Sequence, residues 1–360
     1  MPKKKSKERT NDTVDKNVKG DLQARLAAVN AKLAKTMDIV PSLQHEEKEL
    51  TLRPTGVKTL DNALSGGFTE GRVVELFGEE QSGKSLISLL TIAEAQKSGK
   101  VCMLVDAEQG YVPDWGAKLG VDNDSLIKLR QNVVEPVFQT IEAYAKEDLV
   151  DVVVIDSIAN MASNSMTESE MGAAQYSPVA LAMSRILPLM LPTLADHNVT
   201  LILINQVRDE IGGYQKSLKT PGGRAIRHAA STRIRVFKSG SSKLIRHAEA
   251  VTGVEIMCEV KKHRGGANFR TAEFRIDYEK GFDREYDLAT AMLGKGMITR
   301  AGAFYTVLAT GAKHQGFENL LDAMRGDEPY RQRLEEIYNG TYTADTAKST
   351  TDTPESPVQE

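Results

Sequence analysis

Gly78-Glu79-Glu80-Gln81-Ser82-Gly83-Lys84-Ser85 follows the apolar run Val73–Phe77 and opens the segment Leu86–Gln96 (LISLLTIAEAQ). The octet fits G-x-x-x-x-G-K-[ST] at a strand-to-helix junction, which is the context that the pattern requires. Its spacing follows from chemistry. Gly78 and Gly83 let the backbone N–H groups of Glu79, Glu80, Gln81 and Ser82 turn inward around phosphate oxygens, and the N-terminus of the next helix adds the positive end of its dipole. Lys84 is placed to reach terminal phosphates, and the Ser85 hydroxyl to ligate Mg²⁺.

Outward from this octet the chain alternates strand and helix. Short runs rich in β-branched residues recur at Val73–Phe77, Val101–Asp106, Asp151–Asp156 and Thr200–Asn205, with helical stretches such as Ser85–Lys97 and Val179–Leu194 between them. Strands that are apolar throughout and joined by helix-length crossovers imply a mainly parallel twisted sheet flanked by helices, an α/β fold. The later runs Thr232–Phe237, Val254–Val260 and Thr271–Tyr278 lie closer together and alternate more. They predict an antiparallel extension of the sheet. Residues 51–284 thus form the expected core. Residues 285–338 read as a small C-terminal α/β domain, with helices at Asp287–Lys295 and Pro329–Tyr338.

Composition bounds the function. The chain has 360 residues, 41% hydrophobic and 26% charged, an ordinary soluble profile. No apolar run approaches the ~18–20 residues of a bilayer span, and the basic start is not followed by the apolar stretch of a secretory signal. Cys102 and Cys258 sit in apolar runs and are read as core thiols; two cysteines cannot build a disulfide framework or a four-ligand zinc site. The formal net charge is −3, yet residues 1–20 carry seven Lys/Arg against three Asp/Glu, a basic arm without core-forming content. Residues 339–360, rich in Thr, Ser and Pro, read as a disordered acidic tail. Within 21–50, Leu22, Leu26, Val29 and Leu33 share one face of a short amphipathic helix. That stripe packs either on its own domain or on a neighbouring subunit.

Further polar residues stand at strand ends. Asp156 closes Val152–Ile155 and can hold a metal directly or through water, or cap the following segment. Asp106 and Glu108 end the preceding strand, Glu108 being the better placed to polarise an attacking water. Asn205 and Gln206 end the last of the four. Gln206 either senses a terminal phosphate or is an ordinary polar terminus.

Four strand ends in order thus carry GEEQSGKS, VDAE, VVVIDS and LINQVR, with PGGRAIRHAASTRIRVFK downstream. This set resembles the bacterial and phage RecA recombinase family, from about Pro54 to Tyr338. TGVKTLDNALSGGFTEGRVVELFG before the octet, KLGVD after Trp115 and FRTAEF ending at Phe274 match as well. The resemblance implies a RecA-like P-loop NTPase core with a short N-terminal polymerisation helix. Its implied activity is that of a cytoplasmic, DNA-dependent ATPase that forms ATP-bound helical filaments on single-stranded DNA and exchanges strands with double-stranded DNA. By the same resemblance Lys84, Ser85 and Asp156 serve ATP and Mg²⁺, Glu108 orients the hydrolytic water, and Gln206 couples the γ-phosphate to DNA. Trp115 lies against adenine, unless it is a plain core aromatic. Lys262 and Arg264 reach the ATP of a neighbouring subunit. The segments 162–176 and 208–222 correspond to two DNA-binding loops, with Met171, Gly172, Arg208, Tyr214, Lys216, Lys219, Gly222 and Gly223 as DNA-contact candidates.

Departures from the family pattern are visible. Asp209 and Glu210 put acids at the start of the second loop, Leu181 and Pro188 stand near Arg185 where basic residues are expected, and Arg264 replaces a more usual lysine. The ATP elements alone also fit a ring helicase or related motor of the same fold. A nucleotide-switched mediator of recombination with little turnover is a further alternative, against which Glu108 argues.

Overall fold

The computed structural model of the chain describes residues 24–25, 28–29, 31, 50–164, 178–207, 223–238, 244–247, 250–266 and 268–342. The chain divides into two units, residues 1–50 and 51–360. In the first, Ala24, Arg25, Ala28, Val29 and Ala31 are helical and exposed. Of the expected apolar stripe only Val29 is described; Leu22, Leu26 and Leu33 lie outside the described residues, as do the basic arm and the tail from 343.

The second unit begins β1 (Leu52–Arg53), α1 (Lys58–Ala63), β2 (Phe68–Thr69), β3 (Val73–Gly78), α2 (Lys84–Lys97), β4 (Cys102–Asp106), α3 (Pro113–Leu119), β5 (Ile127–Leu129), α4 (Val134–Lys146) and β6 (Val152–Asp156). It continues with α5 (Pro178–Asp196), β7 (Thr200–Gln206), α6 (Gly223–Ala229), β8 (Thr232–Lys238), β9 (Leu244–His247), β10 (Ala250–His263), β11 (Thr271–Asp277) and β12 (Gly281–Phe282). Then come α7 (Arg284–Gly294), β13 (Ile298–Ala301), β14 (Phe304–Val307), β15 (Lys313–Gln315), α8 (Phe317–Gly326) and α9 (Glu328–Asn339).

The main sheet runs β12-β11-β10-β8-β3-β7-β6-β4-β5, with β9 beside β10. Its strands bury both faces by alternation. Val152 and Val154 join Leu76, Leu104 and Ile202 under α2, while Val153 and Ile155 join Val73, Met103 and Leu203 under α4 and α5. This two-sided burial explains why the parallel strands read as unbroken apolar runs. One expectation needs correction. Thr232–Phe237 does not add antiparallel: β8 lies parallel to β3, and the antiparallel extension begins at β10. The alternation in β8 comes from half-exposed Arg233, Arg235 and Phe237, not from strand direction. Helix α5 has the length and apolar character of a membrane span, yet Val179, Ala182, Met183, Leu187, Met190 and Leu194 are buried in the core.

A third apolar cluster, from Tyr286 to Ile337, gathers α7, α8, α9 and the antiparallel sheet β13-β14-β15. This lobe grips α1 in the core. Asp287 of α7 accepts Lys58 N (2.6 Å), Thr59 N (3.0 Å) and Thr59 Oγ1 (2.7 Å), capping α1 from a distant part of the chain. Tyr338 of α9 donates to Asn62 Oδ1 at 2.8 Å. Asp61, on α1, accepts from Thr55 N (2.8 Å) and Thr55 Oγ1 (2.7 Å).

Burial pushes the Asp61 carboxyl up to about 7 and that of Asp287 to about 6, against the hydrogen bonds each accepts. Both folded values lie above those of the unfolded chain, so the folded state holds protons that the unfolded state releases. The contribution of these two groups to stability therefore falls as pH rises from about 4 to about 7 and levels off above. Asp61→Asn removes one of these penalties while keeping an acceptor for Thr55. Denaturant midpoints should place the variant ahead of wild type at pH 8 by roughly 1–3 kcal/mol, with a smaller difference at pH 4.5.

Candidate functional site

The carboxyl ends of β3, β7, β6 and β4 lie side by side, Gly78 level with Gln206 and Asp106 level with Asp156. From β3 the chain passes over β7 and β6 before re-entering the sheet at β4. Such a change of direction opens a crevice at the strand ends, where α/β sheets bind ligands. All four motifs read from the sequence converge there.

The octet is a tight backbone cradle. A Cβ on Gly78 would stand 2.0 Å from the Val236 carbonyl oxygen, so only glycine lets the loop leave β3 this close to β8. Gly83 holds φ +101°, a left-handed conformation that delivers the chain into α2. Lys84 folds into the loop, its Nζ donating to Gly78 O at 3.1 Å and Glu79 O at 2.5 Å. Burial lowers the Lys84 pKa, while the carboxylates of Asp156, Glu108, Glu80 and Glu79 oppose that fall.

The acids divide their work. Asp106 is spent on structure, accepting Gly110 N at 3.0 Å and Tyr111 N at 3.1 Å to fold the loop after β4. Glu108 faces the crevice, where its Oε1 accepts Ser157 Oγ at 2.6 Å and Gln206 Nε2 at 3.5 Å. The water-orienting candidate and the phosphate-sensing candidate thus meet directly. The Asp156 carboxyl is pushed up to about 6, chiefly by burial and further by Glu108 and Asp106, while its hydrogen bond with Ser85 pulls it down. Four carboxylates around one ammonium leave the crevice negatively charged. Hard oxygens on Ser85 and Asp156 fit Mg²⁺, which takes one or two protein ligands and completes its shell with phosphate and water. Among the described residues there is no cluster of three or more His, Cys, Asp or Glu that could cage a metal.

Beside the loop, a cavity of about 350 Å³ is lined by Gln81–Leu86 together with Trp115, Lys238, Ile256 and Tyr278. Trp115 lies half-buried, presenting its ring here while packing against the core. Its packing against the core fits the plain-aromatic reading, while its place on the cavity wall leaves room for the other. Ser157 borders the crevice, and Lys238 and Tyr278 border the cavity; motif reading named none of the three as a site candidate. The polar Ser157 directly after Asp156 was a usable signal. Lys238 and Tyr278 had none, because they arrive from β8 and the end of β11.

Lys262 and Arg264 are not brought to this crevice. Lys262 pairs with Arg233, which pairs with Glu75, and Arg264 N reaches Ser231 O, level with the start of β3. Both cations rest on the C-terminal carbonyls of α6. Lys262 Nζ donates to Arg227 O at 2.9 Å, and Arg264 Nη2 to His228 O at 3.4 Å. Between them, His263 is buried and bonded to Thr232 Oγ1 and Leu64 O, which aims its two neighbours to the opposite side. Of the DNA-contact candidates, Gly223 opens α6 with φ +71°. Met171, Gly172, Arg208, Tyr214, Lys216, Lys219 and Gly222 lie outside the described residues.

Known proteins resemble this chain over most of its length. The family described as RecA N-terminal domain matches residues 21–283. Protein RecA of Thermus thermophilus is 36% identical over 295 residues, covering 81% of this chain and 84% of its own length. Protein RecA of Pseudomonas putida is 33% identical over 294 residues, covering 81% and 82% respectively. A solved structure of the RadB recombinase aligns over 64% of this chain and 98% of its own, with a TM-score of 0.48 and 24% identity.

Two substitutions separate cradle from chemistry. Gly78→Ala should weaken binding of a fluorescent ATP analogue at least tenfold, because the loop must retreat from Val236. Glu108→Gln should bind the analogue within about twofold of wild type, yet lower single-turnover phosphate release by roughly 10²–10⁴-fold. Release at the wild-type rate would remove Glu108 from the chemistry.

Proposed function

The chain belongs to the RecA family, and from that premise we propose that it assembles as a homo-oligomeric helical filament on single-stranded DNA. ATP and Mg²⁺ bind between subunits, and the filament pairs homologous double-stranded DNA and exchanges strands in recombination and repair, within the cytoplasm. What carries this reading is the separation of two half-sites on one chain. The phosphate cradle opens at the carboxyl end of β3, while Lys262 and Arg264 project from β10 towards its amino end. Two half-sites facing different ways are completed by head-to-tail contact between copies, and such a heterologous contact propagates into a ring or an open helix.

The chemistry then follows from the residues. Lys84 holds the terminal phosphates through its ammonium, freed from the loop carbonyls that it otherwise bonds. Ser85 and Asp156 hold Mg²⁺, which when bound neutralises charge on the phosphate oxygens. Glu108, oriented by Ser157, takes a proton from the attacking water. Lys262 and Arg264 of the adjacent protomer stabilise the charge that spreads over the terminal phosphoryl oxygens during transfer. Once that phosphate has left, Gln206 loses its partner. Because Gln206 stands two residues before 208–222, the loss passes directly into the segment assigned to DNA, and affinity for the strand falls.

Electron microscopy with ATP and single-stranded DNA should reveal open helical fibres; closed rings would favour a motor. Turnover should require both half-sites. Lys84→Ala and Lys262→Ala should each be nearly inactive alone, yet recover DNA-dependent turnover when mixed, at interfaces where an intact cradle meets an intact Lys262. Lys84→Ala mixed with Lys84→Ala/Lys262→Ala should recover nothing. Mixed filaments that stay inactive in the first case would end the assignment of Lys262 to the neighbour's phosphate.

A further inference from the structure

Glu75 is the one charged residue of β3, and it is 0% exposed at the centre of the sheet. A strand buried on both faces has no need of a carboxylate, and a buried ion pair is seldom worth its desolvation as a source of stability. The neighbours of Glu75 are specific. From β7, Asn205, also 0% exposed, donates its Nδ2 to Glu75 Oε1 at 3.0 Å. From β8, Arg233 donates its Nε to Glu75 Oε2 at 2.5 Å, with its guanidinium 4.7 Å from the centre of the Phe77 ring.

The row extends at both ends. Asn205 immediately precedes Gln206, which reaches Glu108 in the crevice. On the other side, Arg233 stands directly opposite Lys262 in the β8–β10 register. Like charges in that position repel across a sheet, so this pair is held against its own electrostatics, with Glu75 supplying the compensating charge. Hydrogen bonds thus join Asn205, Glu75 and Arg233 across three neighbouring strands, with Gln206 next in the chain on the opposite face and Lys262 in register with Arg233 on the fourth strand.

We propose that Glu75 and Arg233 are positioning residues for ATP hydrolysis. Glu75 orients Asn205, and with it the strand end from which Gln206 meets Glu108. Through Arg233 it also sets Lys262, the cation that serves the neighbouring protomer. One buried carboxylate thereby ties the phosphate-reading end of a protomer's own site to the group that the same protomer lends to the next. This inference rests on the proposed roles of Gln206 and Lys262.

The test uses full-length protein with single-stranded DNA and compares Glu75→Gln, Arg233→Gln and the double variant. Glu75→Gln keeps an acceptor for Asn205 and loses the charge. Each single variant should lower the thermal midpoint, because it leaves one buried charge without its partner. The double variant should regain most of that loss, since both charges are gone. Turnover should behave differently. In all three variants kcat should stay at least tenfold below wild type, while the KM for ATP and the affinity for a fluorescent ATP analogue change less than twofold. A double variant that regains wild-type kcat along with its thermal midpoint would overturn the proposal, for the pair would then serve only the fold. If a single variant fails to fold, the double variant carries the test. Lys262→Ala is measured alongside. Wild-type turnover in Lys262→Ala would overturn the assignment on which the inference rests, and it would do so independently of any result at Glu75.

Discussion

The parallel hydrogen bonding of β3 to β7 on one side and β8 on the other holds everything else in place. It sets Gly78 against the Val236 carbonyl and Gln206 level with Gly78, so the phosphate loop and the strand end that carries Gln206 share one height. Because all six parallel strands run the same way, their polar carboxyl ends collect along one edge, while their interiors are mainly apolar, Glu75 of β3 and the arginines of β8 being exceptions. The candidate site residues thus come from strand ends remote in sequence and adjacent in space. The antiparallel strands beyond β8 reverse the direction and carry Lys262 and Arg264 the other way. One change of strand direction separates the crevice from these two cations.

Charge in the crevice is distributed by burial and hydrogen bonding. Asp106 and Glu108 lie two residues apart, yet one is consumed by backbone N–H groups of its own loop while the other keeps its carboxylate in the crevice. Asp156 resists ionisation because it is buried among like charges, and Lys84 is weakened as a cation by burial yet held up by those same acids. A site in which acids outnumber the cation gains from a divalent metal and from further cations brought by another subunit. The local electrostatics and the head-to-tail reading therefore support each other.

The C-terminal lobe is tied to this site through α1. Asp287 and Tyr338 hold that helix from the lobe side, while Thr55, bonded to Asp61, accepts a hydrogen bond from Thr91 on α2 through its carbonyl oxygen at 3.1 Å. Gly56 adds a close approach: a Cβ there would lie 2.7 Å from Leu90 O on the same helix. Because α2 begins at Lys84, these contacts form a chain from the lobe to the helix that follows the phosphate loop.

The amino-acid sequence by itself determined the parallel β–α core, the nucleotide loop, the acids and the glutamine at the strand ends, and the membership of the RecA family. Each of these is written in local spacing: apolar runs of strand length, glycines at a turn, a polar residue where a strand stops. Tertiary structure alone decided the rest. That β8 joins β3 in parallel, that Lys238 and Tyr278 border the cavity beside the phosphate loop, and that Asp287 caps a helix more than two hundred residues earlier are facts of strand order and docking. Glu75 illustrates the difference most clearly. In sequence it is a single acid interrupting an apolar run, and only the pairing of β3 with β7 and β8 brings it Asn205 and Arg233. Periodicity along a chain reports which face of an element is buried; which elements then meet is decided by long-range packing, and no local pattern encodes it.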